Sequence, residues 1–115
     1  MANTGKVAPY IPIDPVIIWT KVNFSTAAVH VICDQVMLNV MKETGKNYKE
    51  FKAVFYMKSV IYKNYVIKVY VGNEKYLHLS VGLSASPSGE QVVILKGVQK
   101  DHKWNDDLIP FNYEN

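Results

Sequence analysis

A single change of periodicity divides this chain into two kinds of secondary structure. Between residues 25 and 45, apolar residues recur every three to four positions, which indicates an amphipathic helix. From residue 50 onward, apolar and polar residues alternate, which indicates strands. Ser25 or Thr26 is suited to cap the helix, and Gly45 is suited to end it in the left-handed conformation. The apolar stripe of the helix consists of Val29, Ile32, Cys33, Val36, Val40 and Met41.

The alternating region predicts four strands joined by short connections. The strands are FKAVFYMK (51–58), NYVIKVYV (64–71), YLHLSV (76–81) and QVVILKGVQ (91–99), with GNEK (72–75) as a turn and SASPSGE (84–90) as a loop. We expect one face to hold Phe51, Ala53, Phe55, Met57, Tyr65, Ile67, Val69, Val71, Leu77, Leu79 and Val81.

Short connections require antiparallel neighbours, and a sheet with one apolar face buries it against an amphipathic helix. The predicted class is therefore α+β, with an antiparallel sheet of four to five strands wrapped around one long helix. VIIWTKV (16–22) is expected to add a short edge strand.

The N-terminal region predicts an arm followed by one domain. Prolines at positions 9, 12 and 15 favour extended backbone, so residues 1–15 are interpreted as an arm and residues 16–115 as the domain. The arm lacks the apolar core of a signal peptide, and the apolar run Val16–Trp19 is too short to cross a membrane. Cys33 is the only cysteine and excludes an intrachain disulfide. We therefore expect a cytoplasmic protein without membrane contact, with Cys33 as a packed thiol.

Charge and residue usage argue against nucleic-acid binding. The net charge is +3, and all 13 cationic side chains are lysines scattered along the chain. Arginine, which reads phosphate and guanine in a bidentate manner, is absent from the sequence. No nucleic-acid partner is predicted.

Residues that could support catalysis or metal binding are not arranged in a recognisable pattern. His30, His78 and His102 share no metal-ligand spacing, and Asp106 and Asp107 lie in a polar tail where solvation is expected. The sequence contains neither a glycine-rich phosphate loop nor a nucleophile elbow. We predict that the chain is not an enzyme and needs no cofactor or metal.

Long stretches of this chain are similar to the stefins, the intracellular type 1 cystatins. The stretches are FKAV (51–54), NYVIKVYVGNEKYLHLSV (64–81) and GVQKDHKWNDDLIPF (97–111). The resemblance implies a cystatin-like fold and reversible, non-covalent inhibition of papain-like cysteine proteases, the cathepsins. It also implies the mechanism, in which an N-terminal segment and two hairpin loops form a wedge that enters the active-site cleft.

The resemblance assigns protease contacts to three segments of this chain. They are Ile17 and Ile18 in the N-terminal segment, Ser59, Val60, Ile61, Tyr62 and Lys63 in the first hairpin, and Ala85, Ser86 and Pro87 in the second hairpin. All three segments depart from the stefin pattern, which has a glycine in the N-terminal segment, Q-x-V-x-G in the first hairpin and Leu-Pro in the second. Lys63 occupies the position of the glycine in the stefin pattern. If Lys63 had to adopt the backbone geometry of that glycine, the strain would be about 1 kcal/mol or more.

Two functional interpretations follow from these departures. The chain is either an inhibitor with a weakened wedge or a non-inhibitory stefin-fold interaction module that has lost the wedge motif. A monomer is expected in both cases, and the exposed hairpins leave open a dimer formed by domain swapping.

Overall fold

The computed structural model describes residues 18–111, which form one helix on a five-stranded antiparallel sheet. The elements are β1 (Asn23–Phe24), α1 (Ala27–Thr44), β2 (Lys52–Lys58), β3 (Asn64–Tyr70), β4 (Tyr76–Ala85) and β5 (Gln91–His102). The strands lie in the order β1-β2-β3-β4-β5, and each pairs with the next one along the chain. The predicted α+β architecture is confirmed. The predicted arm (1–15) and Ile17 lie outside the described residues.

Helix α1 begins and ends as its sequence predicts. Thr26 is the N-cap, because its Oγ1 accepts a hydrogen bond from the N–H of Val29 at 3.3 Å. Gly45 follows the last turn with φ 71°, and its N–H donates to the carbonyl of Met41 at 2.9 Å. The predicted stripe faces the sheet, and its buried members are Val29, Ile32, Cys33, Val36 and Val40.

The main core lies between α1 and the inner face of the sheet. The strands contribute Ala53, Ile67, Val69, Leu77, Leu79 and Val81. Cys33 packs within this core as expected, and burial raises the pKa of its thiol to about 12, with a smaller contribution from the nearby Asp34 carboxylate. The thiol is therefore protonated and unreactive at neutral pH.

A β-bulge in β2 corrects the predicted inner face of that strand. The register shifts between Ala53 and Phe55, so Val54 is an extra residue in the strand. Ala53 packs on the main core, but Phe55 and Met57 lie in a second cluster, while Tyr56 takes the inner position. Because side chains alternate with a period of two, one inserted residue exchanges the two faces. The expectation that Phe55 and Met57 share a face with Ala53 is wrong.

The outer face of the sheet is covered by the C-terminal segment, residues 103–111. Leu108 of this segment packs with Met57 and Val66, and the partly buried Trp19, Phe55 and Phe111 complete the cluster. The amine of Lys68, on the outer face of β3, donates to the carbonyl oxygens of Lys103 (3.0 Å), Trp104 (2.6 Å) and Asp106 (2.6 Å). The segment therefore forms a third layer over the sheet.

Three boundaries differ from the sequence prediction by more than one residue, and one of them is the end of β5, which lies at His102 and not at residue 99. The edge strand lies at Asn23–Phe24, and within the described part of the predicted strand, residues 18–22, Trp19 makes only an isolated bridge to Ser59. Ser84 and Ala85 belong to β4, which shortens the predicted loop to residues 86–90. No helix within residues 18–111 is long and apolar enough to cross a membrane.

Candidate functional site

The N-terminal segment and the first loop (residues 59–63) lie side by side at one end of the sheet. The N–H of Val60 donates to the carbonyl of Ile18 at 2.7 Å. Next to this bond, Trp19 and Ser59 form an antiparallel bridge. Main-chain contacts therefore hold the described part of the N-terminal segment against the first loop.

The first loop also contacts the strands that carry the second hairpin. The N–H of Leu83 donates to the carbonyl of Lys63 at 2.8 Å, two residues before β4 ends. One shallow depression is lined by the first loop together with Leu83 and Gln91, and Gln91 pairs with Ala85 at the base of the second loop. The described parts of the three predicted segments thus lie at the same end of the sheet, and we call them the loop rim (Ile18, residues 59–63 and residues 85–90).

Ser59 gives the first loop its shape. Its side chain is only 4% exposed, and its Oγ donates to the carbonyl of Tyr62 and accepts from the N–H of Asn64 at 3.3 Å. The N–H of Ser59 donates to the carbonyl of Asn64 at 2.9 Å and closes the loop. This predicted contact residue therefore lies beneath the tip and supports it.

The first loop needs no glycine, because five residues separate its strands. Within residues 18–111, the non-glycine residues with positive φ are Asn73, Glu74 and Asp101, so the first loop contains none. A two-residue hairpin would require positive φ, whereas a longer loop turns the chain within ordinary backbone regions. The strain expected at Lys63 is absent from this loop, and that expectation is corrected.

The tip of the first loop presents apolar side chains to solvent. Val60 is 60% exposed and Ile61 is 64% exposed, and Tyr62 and the neighbouring Ile18 are also exposed. Burying apolar surface releases about 25 cal/mol per Å². Because hydrogen bonds already fix the loop backbone, a partner that covered this tip would have little ordering cost to overcome.

The second loop repeats the use of a supporting serine. The Oγ of Ser86 accepts from the N–H of Glu90 at 3.2 Å, and the N–H of Ser86 donates to the carbonyl of Glu90 at 2.8 Å. Gly89, with φ 89°, donates to the carbonyl of Ser86 at 2.8 Å. Ala85 and Pro87 are exposed, whereas Ser86 is half-buried. Of the predicted contact residues here, Ala85 and Pro87 are the ones that face solvent.

Sequence reasoning missed a contact that ties the rim to the edge of the sheet. The amine of Lys96 in β5 donates to Oδ1 of Asn64 at 3.1 Å, across the intervening strand β4. This crossing passes over Gly82, where an added Cβ would lie 2.8 Å from Cε of Lys96. In the sequence Lys96 resembles any solvated lysine, so only the strand register reveals its role.

The rim can bind a partner through its shape and through apolar contacts. No group of three or more His, Cys, Asp or Glu residues suited to a metal ion occurs in the described part of the chain. The rim combines main-chain hydrogen bonds, two supporting serines and exposed apolar side chains with the exposed charged residues Lys63 and Glu90. Such a surface is suited to binding another protein.

Comparison with known proteins identifies relatives that span most of the chain. No family model matches. Leukocyte cysteine proteinase inhibitor 1 of Sus scrofa is 33% identical over 88 residues, which cover 76% of this chain and 84% of that protein. Cystatin-B of Homo sapiens is 33% identical over 88 residues, covering 76% of this chain and 89% of that protein. Stefin-2 of Mus musculus is 34% identical over 88 residues, covering 76% and 84%.

The names and matched lengths of these relatives agree with the sequence prediction and with the observed fold. The Sus scrofa relative is named as an inhibitor and not as an enzyme, which agrees with the prediction that this chain is not an enzyme. The matched length is long enough to include the helix and the sheet, and the structure has the cystatin-like arrangement of one helix on an antiparallel sheet. This chain belongs to the stefin family of the cystatins.

Proposed function

We propose that this protein is a reversible, non-covalent inhibitor of papain-like cysteine proteases, the cathepsins among them, and that its loop rim enters the active-site cleft. The observation that carries the proposal is a rigid rim whose tip exposes Val60, Ile61 and Tyr62 in a chain of the stefin family. The Sus scrofa relative, named a cysteine proteinase inhibitor, supports the protease class.

The residues of the rim divide into contact residues and supporting residues. Ser59 and Ser86 accept or donate hydrogen bonds within their own loops and hold the loop shapes. The proposed contact residues are Ile17, Ile18, Val60, Ile61, Tyr62, Lys63, Ala85 and Pro87. Ile17 is included because it precedes Ile18 in the chain.

We propose that the affinity is lower than the family pattern would give. Lys63 is exposed at the edge of the first loop, and its ammonium group must be partly desolvated when the loop enters a cleft. In the second loop, a small alanine and a half-buried serine stand where the resemblance expects a leucine. Each lost contact of this kind weakens binding by about 1 to 3 kcal/mol.

The same proposal places the site of action in the cytoplasm. Cys33 is the only cysteine of the sequence and lies buried as a free thiol in the main core. A chain of this kind needs no oxidising compartment for its stability.

The test is a titration of papain with the purified protein and with two matched variants. Ile61→Asp puts a charge at the tip of the first loop, whereas Leu38→Asp puts the same charge at an exposed apolar position on α1, away from the rim. We expect Ile61→Asp to weaken inhibition about 10- to 100-fold, because a buried charge replaces an apolar contact. Leu38→Asp should leave the inhibition constant within about twofold, as expected for a surface change that touches no contact.

Two results would contradict the proposal. Absence of inhibition at high micromolar concentration across papain and cathepsins B, H, L and S would exclude an inhibitor. Equal effects of the two aspartate variants would exclude the loop rim as the contact surface. In the first case, exchange of SVIYK (59–63) for a stefin-pattern hairpin that creates inhibition would favour the alternative function, a stefin-fold interaction module without the wedge motif.

A further inference from the structure

The outer face of the sheet buries a histidine that has no hydrogen-bond partner in the described structure. His78 is fully buried, and neither its Nδ1 nor its Nε2 makes a hydrogen bond with the described residues. Its ring stacks on the ring of His102, with 3.6 Å between centroids and 8° between planes. A polar ring buried without partners is tolerated only while it is uncharged.

The two stacked histidines differ in their hydrogen-bond partners. His102 Nδ1 lies 2.8 Å from Oδ2 of Asp106, and its Nε2 lies 2.9 Å from Oε1 of Gln99. The N–H of Lys103 also donates to Oδ2 of Asp106, and this bond, followed by the bond to His102, lowers the pKa of that carboxyl. A proton on His102 therefore has a carboxylate acceptor, whereas a proton on His78 has none.

The groups around His78 mostly oppose its protonation. Helix α1 packs on the other face of the sheet and contributes no charge to this site. Burial is the main cause that lowers the pKa of His78 to about 3, followed by the electrostatic effects of His102 and Lys68, whereas the Asp106 carboxylate raises it. The titratable groups that act on His78 are Lys68 from β3, His102 from β5 and Asp106 from the C-terminal segment, and the packed rings of Tyr70 and Tyr76 lie further along the same face.

The C-terminal segment lies over the same face and is bonded through Asp106 to His102, whose ring stacks on His78. Residues 103 to 106 lie over this face, because the amine of Lys68 holds three of their carbonyls. Further along, Leu108 and Phe111 pack in the cluster that contains Trp19. Trp19 in turn bridges Ser59 at the base of the first loop. The segment is therefore linked to the buried histidine through the Asp106–His102 bond and the His102–His78 stack, and to the loop rim through Trp19.

We propose that acid opens the C-terminal segment by protonating His78, and that the opening loosens the N-terminal part of the loop rim by removing the packing partners of Trp19. The effect on inhibition rests on the proposed function, whereas the opening itself does not. In the closed state the chain presents an ordered rim. In the open state Trp19 and Ile18 keep only their main-chain contacts with the first loop.

The expected size of the opening follows from linkage. If His78 titrates near 3 when closed and near 6.5 when open, the opening equilibrium constant rises about 30-fold between pH 7.5 and pH 5.0. The pH dependence of the opening has the sign expected for a group whose pKa is lowered in the folded state. Stability is full above the open-state pKa and is lost as the pH falls toward the closed-state pKa.

Hydrogen exchange of residues 103–111, corrected for intrinsic exchange rates, tests the opening at both pH values. The variants are His78→Phe, which keeps a stacking ring but cannot be protonated, and His30→Gln, which removes the histidine of α1 and leaves the His78–His102 stack in place. We expect the 30-fold rise in the native chain and in His30→Gln, and a rise below about threefold in His78→Phe. His78→Leu replaces His78→Phe if circular dichroism shows that the phenylalanine variant does not fold.

Binding to papain with its catalytic cysteine blocked then tests the connection to the rim. The pH dependence of the protease cancels when the dissociation constant of the native chain is divided by that of His78→Phe at each pH. We expect this ratio to rise by the factor by which the closed population falls between pH 7.5 and pH 5.0, as measured by hydrogen exchange.

The outcomes separate this inference from the proposed function. An equal rise of exchange in the native chain and His78→Phe would overturn the role of His78. A binding ratio that stays constant while hydrogen exchange shows a fall in the closed population would overturn the connection through Trp19. If the native chain does not bind the protease at either pH, the proposed function fails together with the connection to inhibition, and the exchange data still decide the opening.

Discussion

The buried amine of Lys68 provides a direct test of how the C-terminal segment is held. Lys68 is 2% exposed, and its Nζ donates to three carbonyl oxygens of the segment, those of Lys103, Trp104 and Asp106, at 2.6 to 3.0 Å. Lys68→Met keeps an unbranched apolar stem of similar size and removes all three bonds. The three carbonyls then lose the donor that the described structure gives them.

The magnitude is set by two opposing effects. Hydrogen bonds from a charged donor contribute about 1.5 to 3 kcal/mol each, so three give a gross loss of about 4 to 9 kcal/mol. Burial of the ammonium opposes this, and it is the main cause of the lowered pKa of Lys68. Methionine removes that desolvation cost, and the freed carbonyls regain water where the segment shifts. We expect a net loss of about 2 to 4 kcal/mol in the free energy of unfolding.

Urea unfolding at pH 7, followed by circular dichroism, measures this loss. The matched control is Lys52→Met, because Lys52 lies in the neighbouring strand β2 but is exposed. The control should change the free energy of unfolding by less than about 0.5 kcal/mol. If Lys68→Met is no more destabilising than the control, the amine does not hold the segment, and the layered arrangement of the outer face has another cause.

Three further predictions concern the core, the helix end and the thiol. Ile67→Ala should lower the free energy of unfolding by about 2 to 5 kcal/mol, because Ile67 is fully buried. Ile61→Ala at the exposed tip should change it by less than about 0.5 kcal/mol. Similar urea midpoints for the two variants would contradict the assigned burial. Gly45→Ala should lower the free energy of unfolding by about 1 kcal/mol through backbone strain alone, since φ is 71° and no atom lies within 4 Å of the added Cβ. An unchanged thermal midpoint would refute this. Cys33 should resist a colourimetric thiol reagent in the native protein and react fully in guanidinium, because burial raises the pKa of its thiol to about 12. Rapid labelling of the native protein would show that the core opens easily.

The sequence predicted those features that depend on one element and its local pattern. The helix follows from a capping residue, an apolar stripe and Gly45, all read within about twenty positions, and the structure has each of them. The alternation in β3 and the first part of β4 likewise predicted the inner face, including Ile67 and Leu79. In these cases local periodicity and tertiary packing favour the same arrangement.

The features that sequence reasoning missed depend on contacts between distant residues. The bulge at Val54 exchanges the faces of β2, yet no glycine or other special residue marks it. The alternation in β4 puts His78 on the face opposite the apolar set, which is correct, but it does not reveal that His78 is completely buried and stacks on His102, more than twenty positions away. A pattern with a period of two shows which face a side chain takes, and it does not show what covers that face.

The rim illustrates why its loops can diverge while the architecture persists. The bonds that join its segments run between main-chain groups, from Val60 to Ile18 and from Leu83 to Lys63, so they do not depend on the identity of the tip side chains. Ser59 adds the remaining support from a buried position that a partner would not reach. Substitutions at the exposed tip therefore alter which cleft the rim fits and how tightly, whereas a change at Ser59 would alter the shape of the loop itself. Because the two kinds of residue are separable by mutation, Ser59→Ala should lower inhibition together with the protection of loop amides from exchange, and Ile61→Asp should lower inhibition alone.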